Sequence, residues 1–404
     1  MIDPDQSLHE SHPDLGLLLT GGSALIEAAL DGSTTLESDV RPVQVRFVPG
    51  RTVVVQYSAS VSTRGEGKRV ETFVASTGQT IPAQTAVVSH KGTAIAVWVA
   101  AADPFLPGMR SVSSPRSAGQ LLEQIGIEAN DVTVRRRAYR PGRRAVTEIR
   151  TATARVFAKT VRPERVAGLQ RLHTSLVSHA PIPASLGWSE TSGIAVLQAL
   201  EGQTLREVMT TDAPSLPPPA NLTDLLRTMR HAEIPARTRP GLVQRVRDHA
   251  SLIATITPTL SERTHLLARS IEEAATPDTT RTIHGDFHAS QIIVNRGTVT
   301  GLVDIDTVGS GEPTDDLANF LAHLDAVASA TPQSANQIMN YGAEVIRHFD
   351  GITDPRQLRL RVAAALLGYA TGPFRVQEHD WRAATEARLA RAEHWLAAAS
   401  PTST

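Results

Sequence analysis

The amino-acid sequence predicts an α+β protein, with β-rich units ahead of a mainly helical C-terminal half. Three observations carry this. Alternating β-branched runs split by Pro-Gly turns fill residues 40–57 and 134–161. From residue 222 onward, apolar positions recur with a helical period. One strand–turn–strand pattern, at 282–307, interrupts that helical half.

Taken in order, residues 14–31 read as a short helical entry broken at Gly21-Gly22. A hairpin is expected at 40–57, strands at 69–75, 84–89 and 93–100, and a helix at 116–128. A second hairpin follows at 134–149, then a strand at 154–161 and a helix at 163–179. Residues 181–188 read as a Pro-punctuated link and 193–200 as an apolar strand. A Pro-rich loop at 214–219 marks a boundary. Helices are expected at 222–232, 241–258, 260–275, 314–329, 335–349, 355–371 and 379–399. The expected domains are an N-terminal β-rich unit at 1–129, a second β-rich lobe at 130–201 and a helical lobe at 202–404.

With 404 residues, the chain has room for two or three domains of ~150 residues. Its 40 Lys+Arg balance 41 Asp+Glu, so charge draws it to neither nucleic acid nor an anionic membrane. It has no cysteine, which excludes disulfides, thiol nucleophiles and Cys-based zinc sites. No apolar run approaches the ~20 residues of a membrane span, and the N-terminus lacks the pattern of a secretory signal. The expectation is a cytoplasmic protein. Only three of the cations are lysines, Lys68, Lys91 and Lys159. Chemistry that needs a lysine in the last 313 residues must use Lys159.

A local pattern recurs. Phe47, Pro49, Gly50 and Arg51 parallel Tyr139, Pro141, Gly142 and Arg143 at an offset of 92 residues. Either two unrelated hairpins share a common turn, or a small β-lobe is duplicated.

Polar residues crowd the 282–307 interruption. His284, Gly285, Asp286, Phe287 and His288 precede Gln291 and the apolar run 292–294, and Asp304 and Asp306 follow the run 301–303. A hairpin closed by Asn295-Arg296-Gly297 would bring Asp286 and Asp304 to a common space with Gln291 between them. Two carboxylates and an amide oxygen suit a hard cation such as Mg²⁺. His284 and His288 stand four apart on an expected loop without an HExxH helix, which argues against zinc. The bland alternative is a polar loop with capping aspartates. Lys159, in the strand 154–161, would ordinarily be a solvated edge residue. In a small lobe ahead of a helical one, its compact ammonium can instead reach nucleotide phosphates.

These segments resemble the aminoglycoside phosphotransferase and choline kinase superfamily, closest in motif to its maltokinase and aminosugar kinase type. HGDFHASQIIV resembles the catalytic loop H-G-D-x-H-x-x-N, and GLVDIDTVGSGEPTDDLANF the metal-binding turn and the helix after it. VFAKTV resembles the third small-lobe strand with its lysine, and GIAVLQALEGQTL the hinge strand. The resemblance implies a bilobal protein-kinase-like fold over about residues 130–400. That fold has a β-rich small lobe, a mainly helical large lobe and, as in maltokinase-like proteins, an extra N-terminal β-rich unit. It implies an ATP-dependent kinase for a hydroxyl of a sugar, aminosugar or aminoglycoside. Asp286 would be the catalytic aspartate, and Gln291 and Asp304 would hold Mg²⁺. Lys159 and Gln198 would contact ATP. His284, His288 and Asp316 would support the catalytic loop. Asp306, Arg375 and Trp381 are the residues it suggests for the acceptor.

Three departures stand out. Gln291 replaces the usual asparagine, as it does in maltokinases. No glutamate on 163–179 is well placed for Lys159; Glu164 and Gln170 are the candidates. Arg140-Pro141-Gly142-Arg143-Arg144 replaces the Gly-rich loop, and Arg143 there either touches phosphate or is a solvated turn residue. The competing functional reading is a nucleotide-binding pseudokinase. A protein kinase is disfavoured, because about ten residues between Asp304 and Asp316 leave no room for an activation segment.

Overall fold

The computed structural model describes residues 4–400 except 39, 66, 79–80, 84, 91, 212–215, 233 and 235–237. Lys91, Gln84 at the start of one expected strand and the first two residues of the loop 214–219 lie outside the described residues. The chain forms two compact units. The first comprises Met1–Gly168, Ser185–Gln198 and Pro373–Trp381; the second comprises Leu169–Ala184, Ala199–Gly372 and Arg382–Thr404.

The first unit opens with helices α1 (Pro4–Ser11), α2 (Pro13–Thr20) and α3 (Gly22–Glu27). Strands β1 (Thr34–Leu36), β2 (Arg41–Val48), β3 (Thr52–Thr63), β4 (Gly67–Ser76), β5 (Ala86–His90) and β6 (Thr93–Val99) follow. They make one antiparallel sheet in the order β2-β3-β4-β6-β5, with β1 also on β3. On β3, Val53, Val55, Tyr57, Ala59 and Val61 are all buried and share one face. Tyr57 donates its hydroxyl to the Leu18 carbonyl at 2.5 Å, which ties α2 to that face.

After α4 (Pro115–Gln124), strands β7 (Thr133–Arg140), β8 (Arg144–Arg150) and β9 (Arg155–Val161) lead into α5 (Pro163–Leu176). Then come β10 (Ser185–Ser189) and β11 (Ile194–Gln198). The sheet order is β7-β8-β9-β11-β10, strand for strand the order of the first sheet. The hairpins match in register too: Val48 faces Thr52 as Arg140 faces Arg144. Gly50 and Gly142 both have positive φ, 69° and 64°, where an L side chain is strained. In the second sheet Val146, Lys159 and Ala195 align across three strands; in the first, Val54, Ser76 and Ala96 do. A serine therefore stands where the second sheet has its lysine.

Strand β10 corrects the expectation of an irregular link at 181–188. It is an edge strand with a bulge near Leu186, and Leu186 and Trp188 are exposed. An edge strand bonded on one side needs no continuous apolar run, so its periodicity is weak.

The two sheets share a core in which Val54, Val74, Ala96 and Trp98 pack with Leu106, Met109, Tyr139 and Ala145. Burying each large apolar side chain there contributes about 1.5–3 kcal/mol. Asp103, in the connection between the sheets and 2% exposed, closes this core. Its carboxylate accepts from the Tyr139 hydroxyl at 2.7 Å and the Gly142 N–H at 2.8 Å. It also accepts from the Phe105 N–H at 2.9 Å. The Pro141-Gly142 turn is thus clamped from below by a residue whose stretch carries no legible motif. Asp103→Ala leaves these buried donors unpaired, at about 1–3 kcal/mol each. A thermal melt should show a clear fall for Asp103→Ala and a smaller one for Asp103→Asn, which keeps one acceptor oxygen.

The second unit contains β12 (Gln203–Thr204), α6 (Leu205–Thr210), α7 (Pro219–Thr228), α8 (Val246–Ile256) and α9 (Ser261–Ala274). Short strands β13 (Arg281–Ile283), β14 (Ile292–Asn295), β15 (Thr298–Leu302) and β16 (Gly309–Gly311) precede α10 (Pro313–Ala330). Helices α11 (Ala335–Asp350), α12 (Pro355–Tyr369) and, from Arg382 on, α14 (Trp381–Ala398) complete it; the one-turn α13 (Gly372–Arg375) belongs, but for Gly372, to the first unit. Strand pairs β14–β15 and β13–β16 are antiparallel. The core runs through α10 and α12, where Phe320, Leu321, Val362 and Leu366 are buried. Among the described residues, no helix is long and apolar enough to cross a membrane.

Candidate active site

Strand β13 ends at Ile283, and the polar loop 284–291 begins there. His284 is fully buried, and its Nε2 lies 3.1 Å from the Val303 carbonyl. Burial holds its imidazole below the usual histidine range, so the neutral ring donates to that carbonyl. Gly285 has φ +76°, and a Cβ there would sit 2.7 Å from the Thr307 carbonyl oxygen. Only glycine fits this turn.

Helix α10 braces the loop along one stripe, at helical spacings of three and four. Asp316 accepts from the His284 N–H at 2.7 Å and the Gly285 N–H at 2.8 Å. Asn319 donates to the Phe287 carbonyl at 3.1 Å and is itself held by the Tyr369 hydroxyl at 2.9 Å. Phe320 packs on Phe287 with centroids 5.6 Å apart. His323 stacks on His288 at 4.4 Å and 13°. Burial and then the neighbouring His288 push the His323 imidazole far below its usual range, so it stacks as a neutral ring. Burial pushes the Asp316 carboxyl up to about 7, against the pull of its two backbone donors.

The same loop carries Asp286, His288 and Gln291, and Asp304 follows β15. Asp286 is about one third exposed, and its Oδ1 lies 3.7 Å from His288 Nε2. His288 Nδ1 accepts from the Ser290 N–H at 3.2 Å, which fixes the other ring nitrogen as the proton carrier in the neutral ring. Gln291 Nε2 lies 3.3 Å from His288 Nε2 and donates to Asp304 Oδ2 at 3.5 Å. Asp304 sits in the left-handed region, φ 59° and ψ 48°, a conformation that costs a non-glycine residue energy and recurs at functional sites. The amide oxygen of Gln291 and the Asp304 carboxylate are donor types that Mg²⁺ takes. Asp306 lies in a short 3₁₀ turn, its carbonyl accepting from Arg239 at 2.8 Å.

The other expected residues lie in the first unit. Lys159 sits in the central strand β9 and is 4% exposed, which is not the state of a solvated edge lysine. On the same sheet face Glu148, 2% exposed, pairs with Arg137, Arg150 and Arg155. Glu164 is exposed. Gln198 is the exposed last residue of β11. Arg143 is exposed at the tip of its turn. Trp381 packs edge-on against Phe374 at 5.0 Å, and Arg375 is exposed in the same segment.

Sequence reasoning missed Asn319 and His323. The available signal was their position three and seven residues after Asp316, on the face it defines. It also missed Asp103, for which no local pattern exists.

A five-stranded small sheet with a buried strand lysine, and a helical unit with a braced Asp-x₄-Gln loop and a following Asp, define a kinase-like phosphotransferase fold. The chain belongs to the phosphotransferase enzyme family, whose model matches residues 122–361, more than half of the sequence. Among solved structures, a thermostable variant of aminoglycoside phosphotransferase APH(4)-Ia in ternary complex with AMP-PNP and hygromycin B is similar at TM-score 0.50. The two are 14% identical, over 70% of this chain and 98% of that one. A choline/ethanolamine kinase family protein from Mesorhizobium loti is similar at TM-score 0.47 and 16% identity, over 71% of this chain and 92% of that one. A macrolide 2'-phosphotransferase from Brachybacterium faecium is similar at TM-score 0.43 and 17% identity, over 69% and 98% of the chains. No curated protein sequence matches the chain.

Proposed function

We propose that the protein is an ATP- and Mg²⁺-dependent kinase that moves the γ-phosphate to a hydroxyl of a small molecule of the sugar, aminosugar or aminoglycoside class. The observation that carries this reading is the grouping of Asp286 and Gln291, on a loop braced by α10, with Asp304 after β15. Asp286 orients the acceptor hydroxyl and takes up its proton. Gln291 and Asp304 hold the cation, which supplies neutralisation of phosphate charge. His288 keeps Asp286 and Gln291 in register with one another. His284 and Asp316 fix the loop backbone. Lys159 contacts the α/β-phosphates and Gln198 the base-side edge of ATP. Asp306, Arg375 and Trp381 are acceptor contacts.

The maltokinase-type reading rests on Gln291 and on the N-terminal unit, 1–129. The matching strand order and register support that unit as a duplicated small lobe that lost its lysine, with the kinase lobes at 130–201 and 202–404.

The test is ADP release from Mg²⁺-ATP with a panel of sugars, aminosugars and aminoglycosides. Turnover that requires an acceptor supports the proposal; nucleotide binding without turnover for any acceptor favours a pseudokinase. Lys159→Arg is the sharper test of the phosphate contact. A planar guanidinium cannot take the place of a buried ammonium, so KM for ATP should rise and kcat fall, together at least about tenfold in kcat/KM.

A further inference from the structure

The two Pro-Gly-Arg turns meet within the first unit, and the ground between them is basic. A cavity of about 430 Å³ is lined by Arg46, Arg51, Thr52, Phe105, Gly142 and Arg162, among others. A smaller one, about 100 Å³, adjoins it and is walled by Arg46, Arg140, Arg143 and Arg375. Among the described residues, no aspartate or glutamate lines either cavity. Asp103 lies behind the turn, with its oxygens engaged by Tyr139, Gly142 and Phe105. Arg162 is held in place: it donates to the Gly142 carbonyl at 2.7 Å and lies over the Phe105 ring at 4.6 Å.

The like charges of Arg46, Arg143 and Arg162 lie close enough to act on one another. Partial burial, then the charges of Arg143 and Arg162, push the Arg46 guanidinium below the usual arginine range, although its side chain stays open to solvent. Partial burial, then Arg144, Arg165 and Arg162, do the same to Arg143, although its side chain stays open to solvent. Such a grouping is relieved by an anion that several guanidiniums can fork onto, and phosphate suits that geometry best.

The cavity is not on the lysine's side of the sheet. Lys159 pairs with Val146, and the next residue along, Ala145, points to the opposite face. Ala145 packs with Tyr139, Val54 and Trp98, and Val54 and Trp98 also line the larger cavity.

We propose that the meeting of the two Pro-Gly-Arg turns is a binding site for a phosphorylated small molecule, separate from the Lys159 face. Arg46 and Arg51 of the first sheet and Arg143 and Arg162 of the second grip the phosphate. The ligand bridges the first sheet to the turn that stands in the place of the nucleotide loop, so its binding stiffens that turn.

The test is isothermal titration of the full chain with inorganic phosphate and, in a second arm, with glucose 6-phosphate, glucose serving as the uncharged control. Saturable phosphate binding is expected, weakened about tenfold by Arg46→Ala and again by Arg51→Ala, and retained in Lys159→Ala. Tighter binding of glucose 6-phosphate than of phosphate, with glucose silent, supports the proposal with a sugar phosphate as ligand. Equal binding of the two supports it with free phosphate. Absence of saturable phosphate binding, or binding lost in Lys159→Ala but kept in Arg46→Ala, overturns it. The kinase proposal is judged by acceptor-dependent ADP release alone, so the two can fail separately.

Discussion

Asp286→Asn should lower kcat by about 10²- to 10⁴-fold, the range for losing a positioned proton acceptor. The amide keeps the size of the carboxylate, and Asp286 is about one third exposed, so the variant should fold as the wild type does. The attachments of the loop run through Asp316, Asn319, Phe320 and His323, none of which touches the changed atoms. KM for ATP should move little, because the substitution leaves Gln291 and Asp304 in place. Steady-state ADP release measured beside a thermal melt separates the outcomes. An unchanged melting temperature with lost turnover supports the role, whereas unchanged turnover removes Asp286 from the chemistry.

The largest stability effect should come from Arg361, a residue outside the active loop. It is 1% exposed and joins Glu312 and Asp315 at the start of α10. It also donates to the Gln357 side chain and the Thr276 carbonyl, each at 2.9 Å. Arg361→Met fills similar volume but strands two carboxylates, one of them the buried Asp315. Breaking one side of a buried pair costs about 3–5 kcal/mol. Urea denaturation should show that loss at pH 8. Burial already pushes the Asp315 carboxyl up to about 6, and removing the cation pushes it higher. A carboxyl raised on folding favours the native state below its unfolded value, near 3.8, and that benefit disappears as pH rises through its folded value. At pH 5 the stranded Asp315 can be protonated, so the deficit should be smaller there than at pH 8.

Local pattern carried much of the architecture. Both hairpins, the loop holding Asp286 and Gln291, and the long helices of the second unit follow from periodicity and turn residues close in sequence. The recurrence of Phe47-x-Pro-Gly-Arg as Tyr139-x-Pro-Gly-Arg left open two unrelated hairpins or a repeat, and the two sheets share strand order and hairpin register. Other features depend on partners far along the chain. Asp103 reaches Tyr139 and Gly142 across about 40 positions; Arg361 reaches Glu312 across 49. Strand β10 is defined by hydrogen bonding at a sheet edge, which leaves little imprint on composition. Asn319 and His323 read as ordinary helix residues until the loop they hold is in view. The arginine grouping between the turns was invisible for the same reason, since Arg46 and Arg143 are brought together only by the packing of two sheets.

The four attachments to α10 have a consequence for motion. A loop tied at one point can swing about it; a loop tied at four successive levels of one helix has no hinge. To open, it must release two backbone amides, a carbonyl and two ring contacts at once, or carry the first turns of α10 with it. Its opening free energy therefore approaches that of the surrounding unit. Asp286 therefore stands on a backbone braced at four levels, and under the proposed function any adaptation to differently shaped acceptors falls to residues outside that loop.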